Sequence, residues 1–575
     1  MTDIDPVTLS VVRGRFEQIV SEMDTALVRS AFSPIIAEAN DMTNGLFRAD
    51  GRTIVQGDLG LPIFTGNMEY TVDAVATAFE GDICPGDVFI TNDPYIGGTH
   101  LMDIKLIKPY FHDGEFLTFI ATTGHWTDIG GSVPGGFSGE TTDIYQEGVR
   151  IPPLKLEAGG ERNDDLLELI FTNVRRPGDI EGDFKAQLNA LSVGEERLSE
   201  FVTEYGLETV QAAVDDIEDR SERQMRAHLA EIPDGAYDYV DFMDNDGIED
   251  RPLRIELEMT VDGSDVHMDF AGSAPPCTGP LNIPRSCTVS ACHIAFKHLY
   301  PDIPTNAGCF EPLTVTVPEE CFLDARPPRP TIGYTETSQR VLDTVFGALG
   351  KAVPEQVPGQ AFSTSGAFTL SGTADGEDYV MAFPVAGGYG ASASEDGLNH
   401  CTPPYARAQA PTIEVLETLY PLRFQHHSLR EDSGGPGRNR GGLGTSYGIE
   451  VTADGASFSL VGDRGDHTPA GVAGGGNAAG SRYQFVIDGE DYELPLRTKV
   501  QGLALSSGDE ITAKTPGGGG HGPPSQRDTE RVLADVKRGY VSIHQAREKY
   551  GVAVVSSDDE LEVDEGQTRE LRDQN

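Results

Sequence analysis

Apolar residues recur near helical spacing at the start of the chain. The stretch DPVTLSVVRGRFEQIVSEMDTALVRSAF carries them along one face, and Pro6 and Thr8 suit the first turn of a helix. This pattern predicts an N-terminal amphipathic helix. Its apolar positions are Val11, Phe16, Ile19, Val20, Met23, Leu27 and Val28.

The pattern changes further along the chain. From about residue 40 to 130, short apolar runs alternate with DG, GD and PGG, which predicts strands joined by tight turns. Helical spacing returns over 163–235, and strand-like runs such as LRIELEMTV fill 236–515, interrupted by the helical segments TVSACHIAFKHLY and SQRVLDTVFGALGKAV. Residues 525–550 predict a closing helix or helix pair.

These periods predict a multi-domain α+β protein, with β-rich mixed sheets, an N-terminal amphipathic helix and C-terminal helices. A chain of 575 residues is too long for one ordinary core. We expect an N-terminal metal-site region at 1–162, a helical segment at 163–235, β-rich domains with glycine-rich loops at 236–515, a C-terminal helical segment at 516–555 and an acidic disordered tail at 556–575.

The charge balance narrows the possible partners. Acidic residues number 92 against 43 basic ones, for a net charge of -49. Such a field repels phosphate backbones and anionic membranes, which excludes nucleic acid and membrane surfaces as partners. The acids are spread along the chain, and molar salt would screen their repulsion. We interpret them as an adaptation to a high-salt cytoplasm.

The seven cysteines form no CxxC pair, and no apolar leader stands at the N-terminus. No run of about 18 apolar residues occurs. These features predict a cytoplasmic protein with reduced thiols and no membrane-spanning helix.

Polar residues cluster around one predicted hairpin. Asp113 and Gly114 separate IKLIKPYF from EFLTFIATT, and Asp-Gly between apolar runs is a strong hairpin signal. With those two residues as the loop, Asp103 faces Gly124 and His125 faces Met102, to within one residue. Asp103 and His125 then lie side by side at the open end of the hairpin. His100, in the preceding stretch TNDPYIGGTHLMDIKL, is close by.

Two imidazoles and a carboxylate suit a divalent ion such as Zn, Mn or Fe(II), with positions open for water or substrate. The alternative is that His100, Asp103 and His125 are structural polar residues. Glu147 in YQEGVRIPP and Asp128 in HWTDIGG follow closely, and we predict them as catalytic carboxylates that transfer protons. The alternative is that Glu147 and Asp128 have no catalytic role and belong to the acidic residues that are abundant along the whole chain.

Other motifs carry less chemistry. PGGGGHG at 516–522 lacks the Lys and the Ser or Thr of a Walker A loop. SGGPGRNRGG at 433–442 is either an anion site or a tight β-connection. The histidine pairs His293/His298 and His426/His427 are expected to be structural, since neither pair shares one face of its element. No nucleophile elbow, HExxH or EF-hand loop occurs.

NDPYIGGTHLMD, GHWTDIGG, QEGVRIPP and NVRRPGDIEGDFKAQLNA resemble the hydantoinase B family. That family includes N-methylhydantoinase B, the corresponding halves of 5-oxoprolinases and the metal-bearing subunits of acetone and acetophenone carboxylases. DFAGSAPPCTGPLN, DSGGPGRNRGGLG and TPGGGGHGPPSQRD resemble further family blocks in the same order, so the resemblance covers nearly the whole chain.

The resemblance implies a metal held by Asp41, His100, Asp103 and His125. From the residues alone, Asp41 in NDMTNG reads as part of a turn. The segment LPIFTGNM departs from a family segment that often bears a histidine, so substrate-binding residues stay unassigned.

The resemblance also implies a hetero-oligomer in which a partner subunit related to hydantoinase A binds ATP. The leading hypothesis is the metal-dependent catalytic subunit of an ATP-driven hydrolase of 5-oxoproline, hydantoin or N-methylhydantoin, with one divalent ion (Zn, Mn or Fe). One alternative is the metal-bearing subunit of an ATP-dependent ketone carboxylase. The other is a non-catalytic scaffold with a structural metal.

Overall fold

The computed structural model describes residues 5–64, 66–374, 376–406, 412–557 and 560–573. The helices are α1 Pro6–Ser30, α2 Pro34–Ala37, α3 Asn67–Ala78, α4 Asp164–Thr172, α5 Pro177–Tyr205, α6 Leu207–Leu229, α7 Arg285–Leu299, α8 Ala307–Phe310, α9 Tyr334–Ala352, α10 Ile413–Leu419, α11 Thr529–Lys537, α12 Ile543–Tyr550 and α13 Glu565–Asp573.

The strands, in chain order, are β1 Met42–Arg48, β2 Thr53–Gln56, β3 Val88–Thr91, β4 Asp103–His112, β5 Glu115–His125, β6 Leu154–Ala158, β7 Glu161–Arg162, β8 Gly235–Met243, β9 Leu253–Asp262, β10 Asp265–Asp269, β11 Leu313–Thr316, β12 Ala367–Ala374, β13 Glu377–Phe383, β14 Leu422–Leu429, β15 Thr445–Val451, β16 Ala456–Val461, β17 Arg482–Ile487, β18 Glu490–Glu493, β19 Lys499–Leu505, β20 Glu510–Lys514, β21 Val554–Ser557 and β22 Glu560–Val563.

The predicted N-terminal helix is α1. Asp5 caps it by accepting the N–H groups of Val7 and Thr8 at 3.1 Å, and Pro6 occupies its first turn. One face is buried against α5 and α6. The multi-domain α+β prediction is confirmed by helices and several separate sheets. Among the described strands, β10 and β11 are parallel and the other neighbours are antiparallel.

The first sheet carries the candidate site. Its strand order is β2-β1-β5-β4-β3-β6-β7, and all neighbours are antiparallel. Helix α5 packs against β4 and β5. On α5, Gln187 donates to the Ile104 carbonyl at 2.9 Å and accepts from Trp126 Nε1 at 3.0 Å. These bonds join α5 to β4 and to the residue that follows β5.

The later sheets are smaller. Their strand orders are β11-β10-β9-β8, β13-β12-β16-β19 and β14-β15-β20-β17-β18, with β21 and β22 as a separate hairpin. One large core unites the first sheet, the helices up to α9 and the β8–β11 sheet. A second core lies between the other two larger sheets, and a third, small one lies near the C-terminus. The boundaries of the five predicted segments stay a prediction.

Two local predictions differ from the structure. Helix α3 lies in the region predicted as strands and turns, and buries Met68, Val72 and Val75 at helical spacing. The acidic segment 556–575, predicted as a disordered tail, contains β22 and α13 within its described residues. There Leu561 and Val563 pack on the small C-terminal core, so a few apolar residues suffice to order an acidic segment. Among the described helices, none has the length and apolar character to cross a membrane.

Candidate metal centre and its cavity

The β4–β5 hairpin brings Asp103 and His125 together. Near the turn the strands pair in the predicted register, but Leu117 then forms a one-residue bulge that shifts the pairing. Beyond the bulge Asp103 lies directly opposite His125, and such residues point to the same face of a sheet. The nominal pairing of Asp103 with Gly124 is shifted by one residue, because an Asp-Gly turn sets the register only up to the first bulge. The prediction that Asp103 and His125 lie side by side at the open end of the hairpin is confirmed.

Three donor atoms converge at this end of the hairpin. His100 Nε2 lies 3.2 Å from His125 Nδ1 and 3.2 Å from Asp103 Oδ1, and His125 Nδ1 lies 3.1 Å from the same oxygen. An ion about 2.0–2.2 Å from each donor, the usual zinc bond length, fits over a triangle of these sides. All three side chains are buried. Within the described ranges no other three His, Cys, Asp or Glu side chains converge in this way.

The protonation of Asp103 and His100 suits a cation. Asp103 accepts a bond from the Thr99 hydroxyl through Oδ2, which leaves Oδ1 facing the imidazoles. Burial raises the pKa of Asp103, but its interactions with His100 and His125 prevail and lower it well below the usual range. Burial lowers the pKa of His100, and Asp103 offsets only part of this effect. An ionised carboxylate beside unprotonated nitrogen is the form that binds metal.

Asp41 stands next to this three-donor cluster at a longer distance. Its carbonyl accepts the His125 N–H at 3.1 Å, and its carboxylate Oδ2 lies 3.8 Å from His125 Nδ1. Burial also lowers the pKa of His125, but Asp41 and Asp103 outweigh it and raise that pKa. The pKa of Asp41 itself rises to about 7, mainly through burial. Asp41 as a fourth ligand stays a prediction.

The segment NDMTNG around Asp41 was predicted as a turn, and this is wrong. Its residues from Met42 onward belong to β1 and pair with β5, with Met42 opposite Gly124. Asn and Gly favour turns only weakly compared with a full ladder of strand hydrogen bonds on a buried sheet. The pairing of β1 with β5 is what carries Asp41 to His125.

His100 is held by the loop between β3 and β4. Buried Lys105 donates to the Gly97 carbonyl at 3.2 Å and to Asn67 Oδ1 at 3.1 Å, and Asn67 Nδ2 donates to the Gly98 carbonyl at 3.0 Å. Gly97 has a φ of 100°, and a β carbon there would lie 2.5 Å from neighbouring backbone. The glycines of this loop therefore allow a close approach that places His100.

The two predicted proton-transfer carboxylates lie in loops. Glu147 accepts the N–H groups of Thr331 and Ile332, each at 2.9 Å, and burial raises its pKa to about 8. Asp128 accepts from Arg175 Nη1 at 2.8 Å. No hydrogen bond or ion pair among the described residues joins either carboxylate to the three-donor cluster. The hydrogen bonds of Glu147 and Asp128 hold the loops in which these residues lie. A role of either carboxylate in proton transfer stays a prediction.

A cavity of about 110 Å³ adjoins the cluster, and Asp41 and His125 are among its lining residues. Its walls are mostly apolar and include Phe137, Val380 and Phe383. They come from the first sheet, from β12 and β13, and from α10. The metal-type donors thus meet a largely apolar chamber.

Several residues at this chamber carry no motif in the sequence. Thr335, Ser365 and Tyr405 line it, and the ring of Tyr334 lies 4.8 Å from the ring of His100. The available signal is that polar residues of YTETSQR at the start of α9 are buried on every side of the helix. Periodicity does not reveal this, because a fully buried helix has no polar face.

The glycine-rich segments bind one another. Gly435 N–H donates to the Gly518 carbonyl at 2.8 Å, and Gly518 N–H to the Gly442 carbonyl at 3.0 Å. A β carbon on Gly441 would lie 1.8 Å from the Gly518 carbonyl oxygen. These N–H groups of 433–442 and 516–522 are therefore used inside the protein, which accounts for the glycines without a phosphate loop.

The chain is similar to known proteins over nearly its whole length. The family model described as Hydantoinase B/oxoprolinase matches residues 5–524. The caprolactamase subunit beta of Pseudomonas jessenii is 34% identical over 571 residues, covering 96% of this chain and 97% of that protein. The crystal structure of ATP-dependent caprolactamase from the same organism has a TM-score of 0.90 at 31% identity and covers 100% of both chains. A nucleotide-free acetone carboxylase structure has a TM-score of 0.92 at 22% identity over 99% of this chain and 83% of that one, a likeness of fold.

Proposed function

Since this chain belongs to the hydantoinase B/oxoprolinase family, we propose that it is the metal-dependent catalytic subunit of an ATP-driven cyclic amide hydrolase. The candidate substrates are 5-oxoproline, hydantoin, N-methylhydantoin and related lactams. The observation that carries the proposal is the convergence of His100, Asp103 and His125 beside an apolar cavity.

His100, Asp103 and His125 would hold one divalent ion, with Asp41 beside it. Two nitrogens and an oxygen suit Zn, Mn or Fe(II). Such an ion polarises a carbonyl and lowers the pKa of water, which hydrolysis of a resonance-stabilised amide requires. Thr99 orients the Asp103 carboxylate, and the apolar walls keep bulk water from the ring.

The proposal assigns ATP to a partner subunit related to hydantoinase A. The sequence lacks a Walker A loop, and a relative covering nearly the whole chain is named as a subunit beta. Both observations support a hetero-oligomer in which the partner activates the ring and this chain completes its opening.

The first experiment measures metal content by elemental mass spectrometry after purification in high salt. We expect about one divalent ion per chain in the wild type, and its loss in His100→Ala and in His125→Ala. His426→Ala is the matched control, because His426 is exposed on β14 and, among the described residues, its ring bonds only Ser446. Circular dichroism verifies that each variant folds. Variants that keep the ion would contradict the site.

The second experiment measures activity of the co-expressed complex. We expect the complex to open the ring of a cyclic amide in a reaction that requires ATP. We expect His100→Ala to abolish this reaction. The same complex is incubated with ATP, labelled bicarbonate and a ketone. If the label appears in a new carboxylate of the ketone, the protein is a subunit of a ketone carboxylase and the hydrolase proposal is wrong. A tightly held ion without exchangeable water, together with no turnover, would favour the structural-metal scaffold.

A further inference from the structure

Two hydroxyl groups meet in the wall of the chamber beside the metal cluster. Ser365 Oγ and the Tyr405 hydroxyl lie 2.8 Å apart, and both side chains line the cavity together with Asp41 and His125. Both residues are almost fully buried, with 5% of Ser365 and 4% of Tyr405 exposed. The proposed function as stated above gives neither hydroxyl a role.

The direction of the hydrogen bonds follows from Gln339 on α9. Its side-chain nitrogen Nε2 lies 2.9 Å from the Thr335 carbonyl oxygen and 3.2 Å from Ser365 Oγ. A backbone carbonyl only accepts hydrogen bonds, so the atom of Gln339 that faces it is the nitrogen and not the amide oxygen. The second hydrogen of this nitrogen is therefore donated to Ser365 Oγ.

The pair of Ser365 and Tyr405 has one hydrogen more than it uses. Each hydroxyl carries one hydrogen, and a single hydrogen bond joins the two oxygens. Among the described residues, Ser365 Oγ has Gln339 as a second partner, whereas the Tyr405 hydroxyl has no second partner.

These partners decide where the extra hydrogen lies. When Ser365 donates to Tyr405, the bonds run in one direction from Gln339 through Ser365 to Tyr405, and such chains strengthen each other. The opposite direction would make Ser365 accept two bonds and leave its own hydrogen unused. The open position is therefore on the Tyr405 hydroxyl, whose hydrogen is available to a molecule in the chamber.

Both residues are fixed through their backbone. The buried carboxylate of Glu336 accepts the Ser365 N–H at 2.8 Å, and the Tyr405 carbonyl accepts the Ile63 N–H at 3.1 Å. A donor that is held in place before the substrate arrives needs no reorganisation when charge develops beside it. Tyr405 is thus a preorganised hydrogen-bond donor.

Tyr405 also lies near the metal cluster. Burial raises the pKa of its hydroxyl well above the usual value, the bond with Ser365 opposes this effect, and the charges of Asp41 and Asp103 add to it. The two carboxylates are therefore close enough to act on the hydroxyl. Because the ordinary pKa of tyrosine is about 10, the hydroxyl keeps its hydrogen at neutral pH even without a shift.

We propose that the Tyr405 hydroxyl donates a hydrogen bond to the carbonyl oxygen of the cyclic amide, and that Ser365 is a positioning residue that orients this hydroxyl. When water adds to the carbonyl carbon, one electron pair of the C=O bond moves to the oxygen. When the C–N bond breaks, this pair forms the C=O bond again and the nitrogen takes one proton of the water. Tyr405 keeps its own hydrogen throughout and stabilises the oxygen while it is negative. This inference rests on the proposed function and adds a catalytic residue to it.

The variant Tyr405→Phe removes the hydroxyl and keeps the ring. For the complex with ATP and the cyclic amide that it opens, we expect kcat to fall about 100- to 1000-fold with little change in KM. Tyr447→Phe is the matched control. Tyr447 is buried in the second core, its hydroxyl accepts the Ala386 N–H at 3.2 Å, and it is not among the described residues that line the chamber.

Metal content separates a catalytic role of Tyr405 from a structural one. Elemental mass spectrometry should find the same amount of metal in the wild type, Tyr405→Phe and Tyr447→Phe. Loss of the metal from Tyr405→Phe would show a structural role and overturn the inference. A Tyr405→Phe complex that opens the ring with the kcat of the wild type would also overturn it, and would leave the proposed function intact.

The role of Ser365 is tested by a second pair of variants. Ser365→Ala leaves the Tyr405 hydroxyl without its orienting partner, and we expect kcat to fall about 5- to 10-fold. Ser365→Thr keeps a hydroxyl at this position and should restore kcat. A larger loss of kcat in Ser365→Ala than in Tyr405→Phe would place the free hydrogen on Ser365 and overturn the assignment to Tyr405.

An infrared measurement tests the same bond without turnover. The probes are 2-pyrrolidinone and 5-oxoproline, each labelled with carbon-13 at the ring carbonyl and bound to the complex without ATP. A hydrogen bond to the oxygen weakens the C=O bond, so we expect a lower C=O stretching frequency in the wild type and in Tyr447→Phe than in Tyr405→Phe.

The infrared result also separates the two proposals. If the complex opens no ring, the proposed function fails, whereas a frequency difference between the wild type and Tyr405→Phe for either probe still supports the hydrogen bond from Tyr405. Equal frequencies for both probes, or no bound probe, would overturn the inference.

Discussion

Replacing Arg340 by Met tests the buried charge network behind the chamber. Arg340 lies on α9 with no exposed surface, and its guanidinium contacts Asp463 Oδ1 at 2.6 Å and Asp241 Oδ1 at 3.3 Å. Asp463 is equally buried and keeps one other cation, Lys499, at 3.0 Å. The variant leaves Asp463 with Lys499, and Asp241 with the more distant Arg464 at 3.6 Å, as their remaining cationic partners among the described residues. Removing one partner of a buried pair costs about 3–5 kcal/mol.

The assay is thermal unfolding followed by calorimetry at one scan rate. For a large domain this loss corresponds to a fall in Tm of about 5–10 °C. Because water and salt do not reach the network, we expect the same fall at about 0.2 M and about 2 M KCl. Arg340→Lys keeps the positive charge but cannot contact both aspartates at once. Its Tm should therefore lie between those of the wild type and Arg340→Met.

Arg326→Met is the control for this prediction. Arg326 is 59% exposed and pairs with Asp324 at 3.2 Å. Exposed pairs contribute about 0–1 kcal/mol, so Tm should hardly change. An Arg340→Met protein that melts within 2 °C of the wild type would refute the reasoning that the buried network stabilises the packing of α9.

Four further outcomes are expected. Gly441→Ala should lower Tm clearly in calorimetry, because its β carbon would lie 1.8 Å from the Gly518 carbonyl oxygen, whereas Gly178→Ala, with open space, should not. Burial raises the pKa of Glu147 to about 8, so the stability that this group contributes is full below about pH 4.5 and is lost as pH rises through about 8. Between these pH values we therefore expect the Tm of the wild type to fall as pH rises. In Glu147→Gln the part of this fall that comes from Glu147 should be absent. Lys105 holds the loop that places His100, so Lys105→Met should weaken metal binding about 10–100-fold, as measured by competition with a chelator. Lys108→Met removes an ion pair with Glu195 and should leave metal binding unchanged. With a net charge of -49, the wild type should gain Tm as KCl rises from about 0.1 to 2 M, and a flat or falling Tm would contradict the high-salt interpretation.

Local patterns were sufficient for much of the fold. The spacing in α1 and the Asp-Gly turn between β4 and β5 are set by residues a few positions apart, and both predictions are confirmed. The same reasoning overlooked α3, because its short helical period stands among strand-like runs and turn residues. It also misassigned the acidic C-terminal segment, whose order depends on a small core contributed by residues from α11 onward.

By itself the sequence determined that His100, Asp103 and His125 lie at one end of one hairpin, because that arrangement depends on strand alternation and a tight turn. Only the tertiary structure decided the rest. The bulge at Leu117 set Asp103 opposite His125, and the pairing of β1 with β5 carried Asp41 there. Thr335 and Tyr405 reach the chamber from segments more than two hundred residues away from the hairpin. Such contacts arise from packing between segments that are distant in the sequence. They produce no local periodicity or residue spacing from which they could be predicted.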